Sequence, residues 1–150
     1  MIEDAIERAY KTLDERNRDK IFVGLDLHGT VMDSNYKDAN GSLLKVALEP
    51  LQKISNLPEV SIILFSCCYE KDYETYLKLF HDNGINVDYF NENPAIENTR
   101  AGCFDKKFYY SILLDDKAGF NPDKDWNVVR KSFLFYRCFS KRVSELYSAK

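Results

Sequence analysis

Three stretches of this chain are apolar at consecutive positions, where a half-buried strand would alternate, and each stops at a polar side chain. Ile21-Phe22-Val23-Gly24-Leu25 runs into Asp26, Val60 to Phe65 runs into Ser66, and Tyr110-Ser111-Ile112-Leu113-Leu114 runs into Asp115-Asp116. A short run that is apolar on both faces must be covered on both, which marks a strand inside a parallel sheet. Parallel strands cannot be joined by hairpins and need long crossovers, usually helices. In such sheets ligands bind at the carboxyl ends of the strands, where Asp26, Ser66, Asp115 and Asp116 all fall.

Between the runs the periodicity is helical. Residues 2–18 carry Ile2, Ala5, Ile6, Ala9, Tyr10 and Leu13 on one narrow stripe. A helix over about 43–56 has to accommodate Pro50. Residues 70–83 predict a helix with Tyr73, Tyr76, Leu77 and Phe80 inward and Gly84 closing it. The strands are expected at about 20–26, Val60–Phe65, Ile85–Phe90 and about 108–115. Met32 to Ser42, residues 91–106 and residues 117–125 are polar and turn-rich. Trp126 to Lys150 predicts one long helix on a spine of Val129, Phe133, Tyr136 or Arg137, Val143 and Leu146, while Ser132 to Tyr136 also has strand character. The expected fold is α/β, a three-layer α/β/α Rossmann-like arrangement with a mostly parallel central sheet. Residues 1–150 form a single domain, with an N-terminal helix at 1–18, a core at 20–120 and a C-terminal helix at 126–150.

Composition narrows the class. An apolar fraction of 45% with 30% charged residues is that of a globular chain, and a net charge of −3 gives no global field for nucleic acid. No apolar run approaches the ~20 residues of a membrane span, and the acidic, amphipathic N-terminus does not read as a signal peptide. Cys67, Cys68, Cys103 and Cys138 form no Cys-x-x-Cys pair and no zinc spacing, so reduced thiols in a cytoplasmic protein are expected.

Two buried strands that end in acids bring like charges together, and a divalent cation is the usual compensation. At these residues the chain resembles the haloacid dehalogenase-like phosphatase superfamily. The signatures of that family stand here as Asp26-Leu27-His28-Gly29-Thr30 after the first strand, Ser66 after the second, Lys107 eight residues before Asp115, and the pair Asp115-Asp116 after the fourth. The resemblance covers about residues 20–120. The gaps that hold a cap domain in other members are about 11 and 16 residues here, so it implies a small capless member.

The resemblance implies a Mg²⁺-dependent phosphomonoester hydrolase acting through an aspartyl-phosphate. Asp26 would be the nucleophile. The Mg²⁺ ligands would be the Asp26 carboxylate, the main-chain carbonyl of His28 and Asp116, with Asp115 behind them. Lys107 would neutralise the nucleophile and the phosphoryl oxygens, with Lys106 as its rival. Ser66 and the amide after it would hold the transferring phosphoryl group. His28 departs from the pattern, because the family's phosphatases usually carry a second Asp there. A histidine can do that acid and base work, since its unperturbed pKa is about 6.5. A slow or specialised phosphotransferase and a degenerate, non-catalytic binder of phosphate or a protein partner are the alternatives. A cysteine nucleophile is disfavoured, because no arginine follows Cys67-Cys68 closely, and a receiver domain is disfavoured by the order of the acids.

The open site suits a phosphorylated substrate such as a nucleotide, a nucleic-acid end or a phosphoprotein. Asn98, Thr99, Arg100, Lys106 and Lys107 stand near the rim, Lys117 follows the acids, and Tyr36, Tyr69, Phe104 and Phe120 are candidates for stacking a base.

Overall fold

The computed structural model describes residues 1–34 and 41–148. In chain order the elements are α1 (Ile2–Glu15), β1 (Ile21–Asp26), α2 (Lys45–Ser55), β2 (Val60–Phe65), α3 (Tyr73–Asp82), β3 (Tyr89–Phe90), β4 (Ile112–Leu114), α4 (Pro122–Tyr136) and α5 (Lys141–Tyr147), with short 3-10 turns at Glu70–Asp72, Asp116–Ala118 and Arg137–Phe139. The strands make one all-parallel sheet in the order β3-β2-β1-β4. Asp26 pairs in register with Phe65, and Leu25 with Leu114. The residues that follow, Ser66 and Asp115, therefore leave the same end of the sheet as Asp26.

Alternate residues of β1, β2 and β4 build one core. Ile21, Val23 and Leu25 of β1, Val60, Ile62 and Leu64 of β2, and Ile112 and Leu114 of β4 share a buried cluster with residues of all five helices, Phe80, Trp126 and Phe133 among them. Phe22 and Ile63 are buried but lie outside this cluster. On their side the contacts come from an aromatic segment in coil. Tyr109 packs edge-on against Phe22 at 6.1 Å and Phe108 against Phe65 at 5.8 Å, and Arg18 lies 4.7 Å over the Tyr109 ring. The parallel sheet and flanking helices are present as expected; beside Phe22 the partner is this coil segment.

Three expected elements are shorter than their apolar patterns. β3 keeps only Tyr89–Phe90 of the expected 85–90, because Asp88 takes over the pairing with β2. Its carboxylate accepts from the Ser61 hydroxyl at 2.8 Å and the Ile62 amide at 3.2 Å. β4 begins at Ile112, because the Ser111 hydroxyl accepts the Phe22 amide at 3.1 Å in place of a ladder carbonyl. The expected helix 126–150 is two helices meeting at Ser140, and α4 starts earlier, at Pro122. Ser140 accepts from the Val143 amide as the N-cap of α5 and donates to Asp14 Oδ1 at 2.6 Å. Asp14 also accepts the Arg142 amide at 2.9 Å, so the end of α1 holds the start of α5. Residues 149–150 and most of the polar loop after Met32 lie outside the described residues.

One charged group sits wholly in the core. Glu59, at the entry to β2, is 0% exposed. It accepts the Arg137 Nε at 2.8 Å and the Tyr10 hydroxyl at 3.0 Å. Among the described residues all four cysteines are free, and no helix is long and apolar enough to cross a membrane.

Candidate active site

The turn after β1 forms because its first residue supplies one carbonyl to several donors. The amides of Thr30, Val31 and Met32 all point at the Leu27 carbonyl, at 3.4, 3.0 and 2.9 Å. Gly29 closes the turn at φ +89°, a conformation that a side chain disfavours. Space also demands glycine, because a Cβ there would lie 2.6 Å from Asp116 Oδ2. Thr30, fully buried, ties the two acidic loops together. Its hydroxyl donates to Asp26 Oδ2 at 3.2 Å and accepts the Asp116 amide at 2.9 Å, while its carbonyl accepts Trp126 Nε1 at 2.9 Å.

The carboxylates of Asp26, Asp115 and Asp116 converge, one oxygen from each lying within 4.8 Å of the others. Asp115 also accepts the Lys117 amide at 2.9 Å, which fixes the 3-10 turn that carries Asp116. Burial, and next the Asp115 carboxylate, push Asp26 up to about 6, against the Leu27 amide and the Thr30 hydroxyl, which favour its ionised form. Asp116 Oδ1 is buried and has no hydrogen-bond partner among the described residues. Such an acceptor is costly to leave unsatisfied, and a cation beside Asp26 would satisfy it. On that ground the residues present fit a divalent metal.

Next to the acids is a cavity of about 510 Å³, lined by Asp26, His28, Ser66, Cys67, Cys68, Tyr69, Lys71, Asp72, Tyr76 and Lys117. Ser66 enters it from the end of β2. Asn91 holds this loop, accepting the Ser66 amide at 2.9 Å, donating to the Ser66 carbonyl at 2.6 Å and donating to the Tyr73 hydroxyl at 2.8 Å. Asn91 sits at φ +54°, a left-handed conformation that Asn tolerates better than most residues. The Ser66 hydroxyl accepts the Cys68 amide at 3.3 Å. His28 Nε2 stands 3.4 Å from the hydroxyl of buried Tyr76, their rings edge to face. Burial, then the nearby Lys117 charge, lower the His28 pKa.

Asp26, His28, Ser66, Asp115 and Asp116 thus come together as their positions in the sequence suggested. Lys107 does not line the cavity. It is exposed, with its ammonium 5.9 Å from the Tyr110 ring. Lys106 lines a separate cavity with Asn91, Glu92 and Asp105. The lysines that line the cavity with Asp26 are Lys71 and Lys117, and the Lys117 charge is the one that acts on His28. Tyr76 was legible only as an inward helix position and Lys117 only as the residue after the acidic pair, while Asn91 carried no signal beyond following a strand.

Comparisons with family models, with curated proteins and with solved structures returned no match for this chain.

Proposed function

We propose that this chain is a Mg²⁺-dependent phosphomonoester hydrolase that works through an aspartyl-phosphate. The observation that carries the proposal is the convergence of Asp26, Asp115 and Asp116 within 4.8 Å beside a cavity that also holds Ser66, His28 and Lys117. Mg²⁺ would be held by Asp26, Asp116 and the His28 carbonyl, with Asp115 supporting, and when bound it would offset repulsion between the carboxylates and the substrate phosphate.

The Asp26 carboxylate attacks phosphorus, forming an acyl phosphate as the bond to the leaving oxygen breaks. His28 gives its proton to that oxygen, so an alcohol departs. Water then attacks the acyl phosphate, His28 takes the water proton, and inorganic phosphate leaves with Asp26 restored. Ser66 and the Cys67 amide supply donors to the transferring group, and Lys117 supplies positive charge where Lys107 was expected to. The lowered His28 pKa suits the second step, in which the imidazole acts as a base. The same reading carries the finer assignment of a capless, three-layer Rossmann-like domain acting in the cytoplasm, with the aromatic segment 104–110 standing where part of an outer layer would be.

The deciding experiment is hydrolysis of a generic aryl phosphate with Mg²⁺ and with EDTA. Turnover is expected with Mg²⁺ alone and is expected to fall by about a thousandfold or more in Asp26→Asn. Lys117→Met should cost more activity than Lys107→Met, and His28→Asp should keep or raise turnover. A folded wild-type protein with no Mg²⁺-dependent turnover would instead mark a non-catalytic binder of phosphate or a protein partner.

A further inference from the structure

Of the aromatic residues that the sequence offered for stacking a base, one of the three described is in place. Phe120 is buried with its ring 5.1 Å from Trp126. Phe104 packs edge-on against Tyr109 at 5.8 Å and faces a different cavity. Tyr36 lies outside the described residues. Tyr69 lines the cavity that holds Asp26 and is 76% exposed. An accessible tyrosine ring in the wall of this cavity can stack a flat ligand. The Lys71 ammonium stands 5.5 Å from the Tyr69 ring centre and also lines the cavity. The cavity wall therefore carries two kinds of group, the carboxylate, hydroxyl and ammonium of Asp26, Ser66 and Lys117, which suit a phosphate and its metal, and the aromatic ring of Tyr69 with the Lys71 ammonium over it. Its volume of about 510 Å³ falls within the range of small-molecule sites.

The surroundings argue against a longer polyanion. The hollow that includes Glu70 and Tyr73, chain neighbours of Tyr69 and Asp72, is lined by Glu70, Glu74, Asp88 and Glu92 and, among the described residues, by no lysine or arginine. The next, around Asn91, sets Glu92, Glu97 and Asp105 against Lys106 alone. A nucleic-acid strand leaving the cavity on this side would run its phosphates over carboxylates, whereas strand-binding grooves are basic.

Resting on the phosphatase reading of the same site, we infer that the substrate is a mononucleotide, its base stacked on Tyr69 and its phosphate toward Asp26, rather than a nucleic-acid end. The test is calorimetric titration of the full-length Asp26→Asn protein with Mg²⁺, which reads binding without turnover. The probes are the nucleoside 5′-monophosphates, ribose 5-phosphate and a 5′-phosphorylated oligonucleotide. The best mononucleotide should bind about tenfold tighter than ribose 5-phosphate. Tyr69→Ala should remove that preference and Tyr69→Trp should keep it, and Tyr69 is exposed enough for both variants to fold. Equal binding of mononucleotide and ribose 5-phosphate, or a preference that survives Tyr69→Ala, overturns the inference. Tighter binding of the oligonucleotide overturns it in favour of a nucleic-acid end. Because these readouts are affinities, they stay separate from the hydrolysis assay on which the phosphatase reading stands.

Discussion

Gly29 and Thr30 do more for the site than their size suggests. Gly29 is required twice, by its φ of +89° and by the 2.6 Å that a Cβ would leave to Asp116 Oδ2. Gly29→Ala is expected to destabilise the fold by roughly 1–2 kcal/mol, the cost of a left-handed side-chain-bearing residue, and to push Asp116 away from Asp26. Thermal denaturation and Mg²⁺-dependent hydrolysis measured side by side would check this. Activity should fall much further than stability, and full activity in the variant would refute the close approach. Thr30 shows why a motif hydroxyl need not touch substrate. It holds Asp26 with one bond and the Asp116 loop with another, so its contribution is to keep two acids at a distance where they repel. His28 has its place fixed in the sequence, but burial and Lys117 set its proton affinity.

At the scale of elements, the termini of helices and strands here are decided by side chains that intercept backbone groups. Asp88 and Ser111 shorten β3 and β4, and Ser140 with Asp14 divides the C-terminal helix. The last of these breaks lies just past Arg137, whose guanidinium reaches the buried carboxylate of Glu59. Burial, and next the Glu59 charge, hold the Tyr10 hydroxyl far above its ordinary pKa, so it serves Glu59 as a donor. The three groups bind α1, β2 and the end of α4 into one buried network. Removing one member leaves a charge without its partner, so Arg137→Met is expected to cost about 3–5 kcal/mol. The double change Glu59→Met with Arg137→Met should recover much of that loss, because a buried ion pair is worth little more than a well-packed apolar pair. Urea denaturation of both variants would decide it, and a single variant within about 0.5 kcal/mol of the parent would show that the network carries no stability.

For the whole molecule, the parallel sheet is what makes one site out of distant residues. All four strands point the same way, so the loops after β1, β2 and β4 share a rim, and three carboxylates gather there. That crowding has a pH signature. Asp26 is raised from 3.8 to about 6, so without metal the folded protein holds this proton to a higher pH than the unfolded chain does. The stability it contributes is present at pH below about 4 and is lost as pH rises through about 6. Mg²⁺ held at Asp26 as proposed would compete with that proton, so the rise in Tm on adding Mg²⁺ should be larger near pH 8 than near pH 5. The pH dependence of that rise should be much reduced in Asp26→Asn, and an equal rise at both pH values in the parent would exclude metal binding at Asp26. The sheet, the limits of β2 and the positions of Asp26, Ser66, Asp115 and Asp116 were legible because they rest on local information, a run apolar on both faces and the residue that stops it. The hold of Asn91 on the Ser66 loop, the placing of Lys107 outside the cavity and the shortening of β3 and β4 were not, because each depends on what faces it across the fold. An apolar run records how deeply a segment will be buried, but which lysine, ring or carboxylate it meets there is settled only when the strands are laid side by side.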